Sequence, residues 1–239
     1  GTPYFDEGVT YTDNSNDDLS SNVVTVNDVD TNILQTYIIT YNLSDNYGNA
    51  ADQVTRTVNV VDNISPAITL LGDPVVTQEV FAVYDDQGAN ALDSFEGDIT
   101  GSIVTVNPVN YNVLGTYTVS YNVSDSSGND ANEVTRTVSI VDTTAPEITL
   151  TGDPTVTINA GDDYTDQGAT ALDNVDGDIS ESIITTGSVD TDVLGTYTIK
   201  FNVSDAIGNP AIEMVRTVNV VDNVNPVITL IGDPTITIE

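Results

Sequence analysis

The tripeptide Gly-Asp-Pro begins at Gly72, Gly152 and Gly232, so successive copies stand 80 residues apart. The same period relates Asp62, Asp142 and Asp222, then Pro66, Pro146 and Pro226. Tyr37, Tyr117 and Tyr197 obey it, as do Arg56, Arg136 and Arg216, and no gap is needed anywhere. A fixed period of this length marks a tandem array of like modules. It overrides the expectation from length alone that 239 residues could form one domain. A module of this size can bury about 60% of its unfolded surface or somewhat more, enough for a core of its own. The predicted boundaries are 1–65 for the first repeat, 66–145 for the second, 146–225 for the third, and 226–239 for the first strand of a further unit.

Within a unit the pattern is strand throughout. Thr116 to Ser124 reads T-Y-T-V-S-Y-N-V-S, with Tyr117, Val119, Tyr121 and Val123 on one face and polar residues on the other. Such period-two alternation in β-branched and aromatic residues predicts a half-buried strand. Asp125-Ser-Ser-Gly-Asn129 is turn chemistry, and V-T-R-T-V-S-I-V from Val134 completes an antiparallel hairpin. The I-T-L before each Gly-Asp-Pro and the T-V-T-like stretch after it read as a first strand broken by Pro, which suits an edge or a switch between sheets. About seven short strands per unit indicate a two-sheet β-sandwich, and L-G-T-Y at Leu114–Tyr117 and Leu194–Tyr197 falls where such sandwiches carry a tyrosine corner. In the first repeat Gln35 replaces the Gly, but Tyr37 remains.

These motifs together resemble the bacterial immunoglobulin-like repeats of large surface adhesins and secreted multidomain proteins. The matching residues are V-V-D-x-x-x-P at each junction, I-T-L-x-G-D-P, D-Q-G-A-x-A-L-D, L-G-T-Y, S-D-x-x-G-N and R-T-V, which span essentially the whole chain. The resemblance implies an all-β tandem array of immunoglobulin-like β-sandwiches joined end to end by short linkers, extracellular at the cell surface, used as a spacer or stalk, sometimes with calcium. It does not imply an enzyme.

Composition narrows the function in the same direction. The chain has no His and no Cys, so the usual general base, the usual transition-metal ligands and a cysteine nucleophile are all missing. Thirty-seven acids against four bases give a formal charge of -33, which repels nucleic acid and anionic lipid. No apolar run approaches the length of a membrane span, so no membrane insertion is expected within this segment.

The acids cluster. Asp173, Asp176 and Asp178 lie in one short loop, with Asp93, Glu96 and Asp98 as their counterparts one unit earlier. The corresponding first-repeat loop runs from Asp13 through Asn16 to Asp18. In an immunoglobulin-like sandwich the loop between the second and third strands shares a pole with the loop between the last two. That pole also receives the preceding linker, so Asp142, Asp205 and Asn209 should join the third-repeat set, and Asp62, Asp125 and Asn129 the second. So many carboxylates repel unless a cation neutralises them or their pKa values rise. Calcium takes six to eight oxygen ligands of this kind, and extracellular modules bind it with dissociation constants on the order of 10⁻⁴ to 10⁻³ M. Calcium at the junctions is therefore the expected cofactor, with the first repeat, which has no preceding linker, the poorest site. Asp, Asn and Gly are also ordinary turn residues, and Asx turns need no metal.

The repeated arginines read as ion-pair or hydrogen-bond partners of a neighbouring acidic strand or loop end, and Tyr4, Tyr84 and Tyr164 as packing at a sandwich edge. Asn42, Asn122 and Asn202 stand in N-x-S sequons at outward strand positions. The expected partners are neighbouring repeats, or copies of the chain in a filament. The competing function is a glycan- or protein-binding module, or an accessory domain of a secreted enzyme. Gly1 corresponds to Gly161 and Glu239 to Asn159, so 226–239 carries the first-strand sequence that the first repeat lacks. Two readings stand. The chain is a window on a longer array, or the tail of one molecule completes the first repeat of the next by strand donation.

Overall fold

A computed structural model describes residues 2–15 and 17–238, leaving Gly1, Asn16 and Glu239, all three invoked above, outside the described residues. The chain divides into two compact units, residues 1–140 and 141–239. Strands account for nearly all its regular structure. In chain order they are β1 (Val24–Val26), β2 (Gln35–Asn42), β3 (Val54–Val60), β4 (Ala67–Leu70), β5 (Val75–Glu79) and β6 (Ala89–Asp93). Next come β7 (Gly97–Asp98), β8 (Val104–Val106), β9 (Gly115–Asn122) and β10 (Val134–Val141). The remainder are β11 (Glu147–Leu150), β12 (Thr155–Asn159), β13 (Ala169–Asp173), β14 (Gly177–Asp178), β15 (Ile184–Thr186), β16 (Gly195–Asn202) and β17 (Met214–Val221).

The second unit is one sandwich. Its sheets have the strand orders β11-β13-β14 and β12-β17-β16-β15. Inward residues of both close the core: Ile148 and Ala171 from one sheet meet Ile199 and Phe201 from the other. Alternation along β16 supplies Ile199 and Phe201, as the sequence pattern predicts. The interrupted first strand lies in both sheets. β11 pairs antiparallel with β13, then the chain crosses at Gly152-Asp153-Pro154 and β12 pairs parallel with β17. Gly152 has φ +82°, and a Cβ there would lie 1.9 Å from Gln167 Oε1, which is why the crossing takes glycine. Pro154 has no N–H to lose, and its carbonyl accepts from Thr217 N at 2.9 Å.

The first unit repeats this sandwich over β4 to β10, with strand orders β4-β6-β7 and β5-β10-β9-β8. Ahead of it stands a three-stranded sheet, β1-β2-β3. Residues 2–15 and 17–23 contribute no strand to it. The counterparts of β6 and β7 fall within residues 9–18. Residues 222–238 likewise form no strand. The tyrosine corner is present in all three repeats: Tyr37 donates to Asp30 O, Tyr117 to Val113 O and Tyr197 to Val193 O, each at 2.9 Å. No helix among the described residues is long and apolar enough to cross a membrane.

Candidate metal centres

The loop between β13 and β14 turns on Asp173. Its Oδ1 accepts from the backbone N–H groups of Val175 and Asp176 at 2.8 and 2.9 Å, an Asx turn that leaves Oδ2 for something else. That Oδ2 is buried and has no hydrogen-bond partner, in a residue only 5% exposed. Asp93 repeats the arrangement, with Oδ1 accepting from Phe95 N and Glu96 N and Oδ2 buried without a partner at 3% exposure.

The loop between the last two strands brings a second carboxylate. Asp205 Oδ1 accepts from Ile207, Gly208 and Asn209 N–H groups, and its Oδ2 accepts from the Asn209 side chain at 2.6 Å. Burial pushes this carboxyl up, but the Asn209 and loop hydrogen bonds outweigh it and hold the pKa below the usual range. Asp125 is held the same way: burial raises it and Asn129 lowers it further. Both therefore stay ionised in the interior.

The third carboxylate comes from the segment leading in. Asp142 directly follows β10, and Asp62 follows β3 by two residues. Asp62 Oδ1 accepts from Ile64 N and its Oδ2 is a further buried oxygen with no partner. The side-chain amides of Asn129 and Asn209 donate to the Asp62 and Asp142 backbone carbonyls, each at 3.2 Å.

Two triads result, Asp62–Asp93–Asp125 and Asp142–Asp173–Asp205, each with one oxygen per residue within 4.8 Å of the others. Ligands on one calcium at 2.3–2.6 Å lie at most about 5 Å apart, so this spacing fits a shared ion. Carboxylates with neither His nor Cys select a hard cation over a transition metal. Without one, each pair of charges at such a distance repels by roughly 3 kcal/mol at an effective dielectric of about 20.

Not every predicted ligand reaches a triad. Asp98 and Asp178 are exposed, and their Oδ1 atoms accept from Thr100 N at 2.9 Å and Ser180 N at 3.0 Å, in Asx turns just ahead of the single-turn helices Thr100–Ser102 and Ser180–Ser182. Glu96 accepts from Ser126 N and Oγ, and Asp176 accepts from Ala206 N at 2.6 Å. These two acids clamp one loop to the other. Asn129 and Asn209 act as straps through their amide nitrogens. The Asp-x-Thr and Asp-x-Ser patterns at Asp98 and Asp178 were the sequence signal for these local Asx turns.

A second buried polar centre was only partly foreseen. Arg216, 1% exposed, pairs with Asp166 at 2.6 Å, donates to Asp153 O at 3.0 Å and to Thr151 O, and lies 5.8 Å from the Phe201 ring. Arg136 makes the matching contacts to Asp86, Asp73 O and Leu71 O. Tyr84 and Tyr164 donate to Asp86 and Asp166. The sequence announces the arginine partner as the Asp of Y-x-D, two residues after each of the tyrosines Tyr4, Tyr84 and Tyr164.

The family model described as "Bacterial surface protein, Ig-like domain" matches residues 1–60, 68–140 and 148–220. An uncharacterized 81.3 kDa protein of Acholeplasma phage L2 is 28% identical over 198 residues, 77% of this chain and 26% of the relative. Pesticidal crystal protein Cry22Aa of Bacillus thuringiensis is 29% identical over 215 residues, 84% of this chain and 28% of the relative. A lipoprotein structure from Bacteroides thetaiotaomicron is 28% identical with a TM-score of 0.31, covering 34% of this chain and 40% of that one. The chain thus spans about a quarter of the length of these two sequence relatives. Three successive matches covering most of the chain place it in one family: it belongs to the Ig-like domains of bacterial surface proteins.

Proposed function

We propose that this chain is a non-catalytic structural stretch of an extracellular bacterial surface fibre or adhesin stalk, rigidified by calcium at its two aspartate triads. In each triad the ion would take Asp62, Asp93 and Asp125, or Asp142, Asp173 and Asp205. It would neutralise the mutual repulsion and tie the residue leading into a sandwich to two of that sandwich's loops. The entering segment would then lose its freedom to swing. The role is mechanical, which agrees with the family's surface location and with a chain lacking His and Cys.

The observation that carries this reading is the set of buried carboxylate oxygens without a partner, Asp62 Oδ2, Asp93 Oδ2 and Asp173 Oδ2. Buried polar groups are paired in the great majority of cases, and an ionised one is costly unless a countercharge meets it. Thermal unfolding in millimolar calcium and in EDTA tests the proposal. Calcium should raise the melting temperature of the sandwiches, and identical melting in the two buffers would refute it.

A further inference from the structure

Phe81 is the one residue other than glycine with a positive φ, +66°, among the described residues. The third repeat has Gly161 at this place, with φ +83°. Glycine takes this left-handed conformation freely, whereas a bulky side chain is strained in it. The backbone contact is the same in both repeats: Phe81 N donates to Tyr111 O at 2.8 Å, and Gly161 N to Thr191 O at 2.9 Å. The second repeat adds a brace, the Gln78 side-chain amide donating to Ala82 O at 2.6 Å. Packing does not account for the strain, because Phe81 stays 51% exposed and Val83 73%. Residues held this way cluster at ligand clamps.

Phe81 is one of six exchanges in this pair of loops. Where the third repeat has Gly161, Asp162 and Asp163, the second has Phe81, Ala82 and Val83. Where the third has Asp190, Thr191 and Asp192, the second has Asn110, Tyr111 and Asn112. Four carboxylates are thus absent from adjoining loops of a chain whose formal charge is -33, and two aromatic rings and two amides stand there instead. The first repeat keeps Asp30 and Thr31 at the matching positions. Asn110 and Asn112 are exposed and Tyr111 is partly so. Asn110 uses only its oxygen, which accepts from Asn112 N at 3.1 Å. Its NH₂ group and the Tyr111 hydroxyl have no hydrogen-bond partner among the described residues.

We infer that loops 78–83 and 110–112 of the second repeat form a recognition site for a neutral carbohydrate chain. An exposed aromatic face suits the C–H face of a pyranose ring, and amides suit its hydroxyl groups, which both donate and accept. An uncharged ligand has no use for the four carboxylates, and their replacement by neutral groups in this repeat alone follows. An anionic ligand remains disfavoured by the charge of the rest of the chain. A folded protein partner is a poor match, since Phe81, Val83 and Tyr111 fall far short of the roughly 20–30 residues a side of a stable interface. The site uses no residue of either aspartate triad, so its failure would leave the calcium account standing.

The test applies the labelled full chain to a printed array of neutral and sialylated oligosaccharides, whose multivalent display detects weak single-site contacts. Neutral glycans should retain the chain. Phe81→Gly and Tyr111→Thr install the third repeat's own residues, so the fold should be kept, and an unchanged or higher melting temperature checks this. Each substitution should weaken retention at least tenfold. No retention on any neutral glycan, retention unchanged by both substitutions, or preference for the sialylated glycans would overturn the inference. Self-association that Phe81→Gly abolishes, with no glycan retained, would overturn it in favour of a protein contact.

Discussion

The Asn209 side-chain amide donates to the backbone carbonyl of Asp142 at 3.2 Å, across 67 residues of sequence, while holding Asp205 Oδ2 at 2.6 Å. One side chain thereby links the entering segment to the loop that carries the third carboxylate of the triad. Asn129 ties Asp62 to Asp125 in the same way. In the first repeat Asn49 holds Asp45 Oδ2 at 2.6 Å, and among the described residues its side-chain amide donates to Asp45 alone.

That contrast isolates the strap. Asn209→Ala should lower the stability of its sandwich by about 1 kcal/mol more than Asn49→Ala does in the first repeat, the net worth of one hydrogen bond. Chemical denaturation of the two variants measures the difference.

Asp173→Asn should change sign with calcium. The Asn oxygen can keep the two loop hydrogen bonds made by Asp173 Oδ1, while the new amide removes a negative charge from the triad. In EDTA the variant should gain stability and in saturating calcium it should lose it, by about 1–3 kcal/mol in each case. Melting curves in both buffers check the reversal.

Removing a buried arginine leaves its aspartate uncompensated. Arg136→Ala and Arg216→Ala should each cost about 3 kcal/mol or more. Arg56→Ala should cost clearly less, because its side chain is a third exposed and it lacks the two crossing-segment carbonyls. Denaturant midpoints of the three variants rank them.

Acid should act through the same arginine centres. Burial pushes the Asp86 carboxyl up, but hydrogen bonds from Tyr121 and Tyr84 and the charge of Arg136 outweigh it and hold it below its ordinary 3.8. Asp166 is likewise lowered, by Tyr164, the Gly168 N–H and Arg216 acting against burial. A depressed folded pKa means the stabilisation is complete above the unfolded value, near pH 4, and is lost as pH falls through the folded value. Melting temperatures measured downward from about pH 5 should hold until about pH 4 and then fall. Asp86→Asn should flatten the acid limb for its sandwich.

Much of the fold was legible because it depends on local pattern. Alternation in Tyr117, Val119, Tyr121 and Val123 marked a strand facing the core, and Pro154 marked the switch between sheets. The site was legible only in part. Asp93, Asp125 and Asp62 converge because topology brings two loops and a linker to one pole, which the repeat and the sandwich assignment together imply. Asp98 and Asp178 sit one turn away, and a nearby backbone N–H and hydroxyl claim their carboxylates first. Sequence proximity could not separate Asp173 from Asp178, because their difference lies in burial. Residues 226–238 carry strand sequence yet form no strand.

The most direct test is a calcium titration of the chelator-stripped chain followed by ¹H–¹⁵N NMR. The account predicts saturable shifts confined to the loops around Asp62, Asp93 and Asp125 and around Asp142, Asp173 and Asp205, with dissociation constants on the order of 10⁻⁴ to 10⁻³ M. The first set should vanish in Asp93→Asn and the second in Asp173→Asn. Shifts spread over the acidic surface without saturation, or unchanged in both variants, would contradict it.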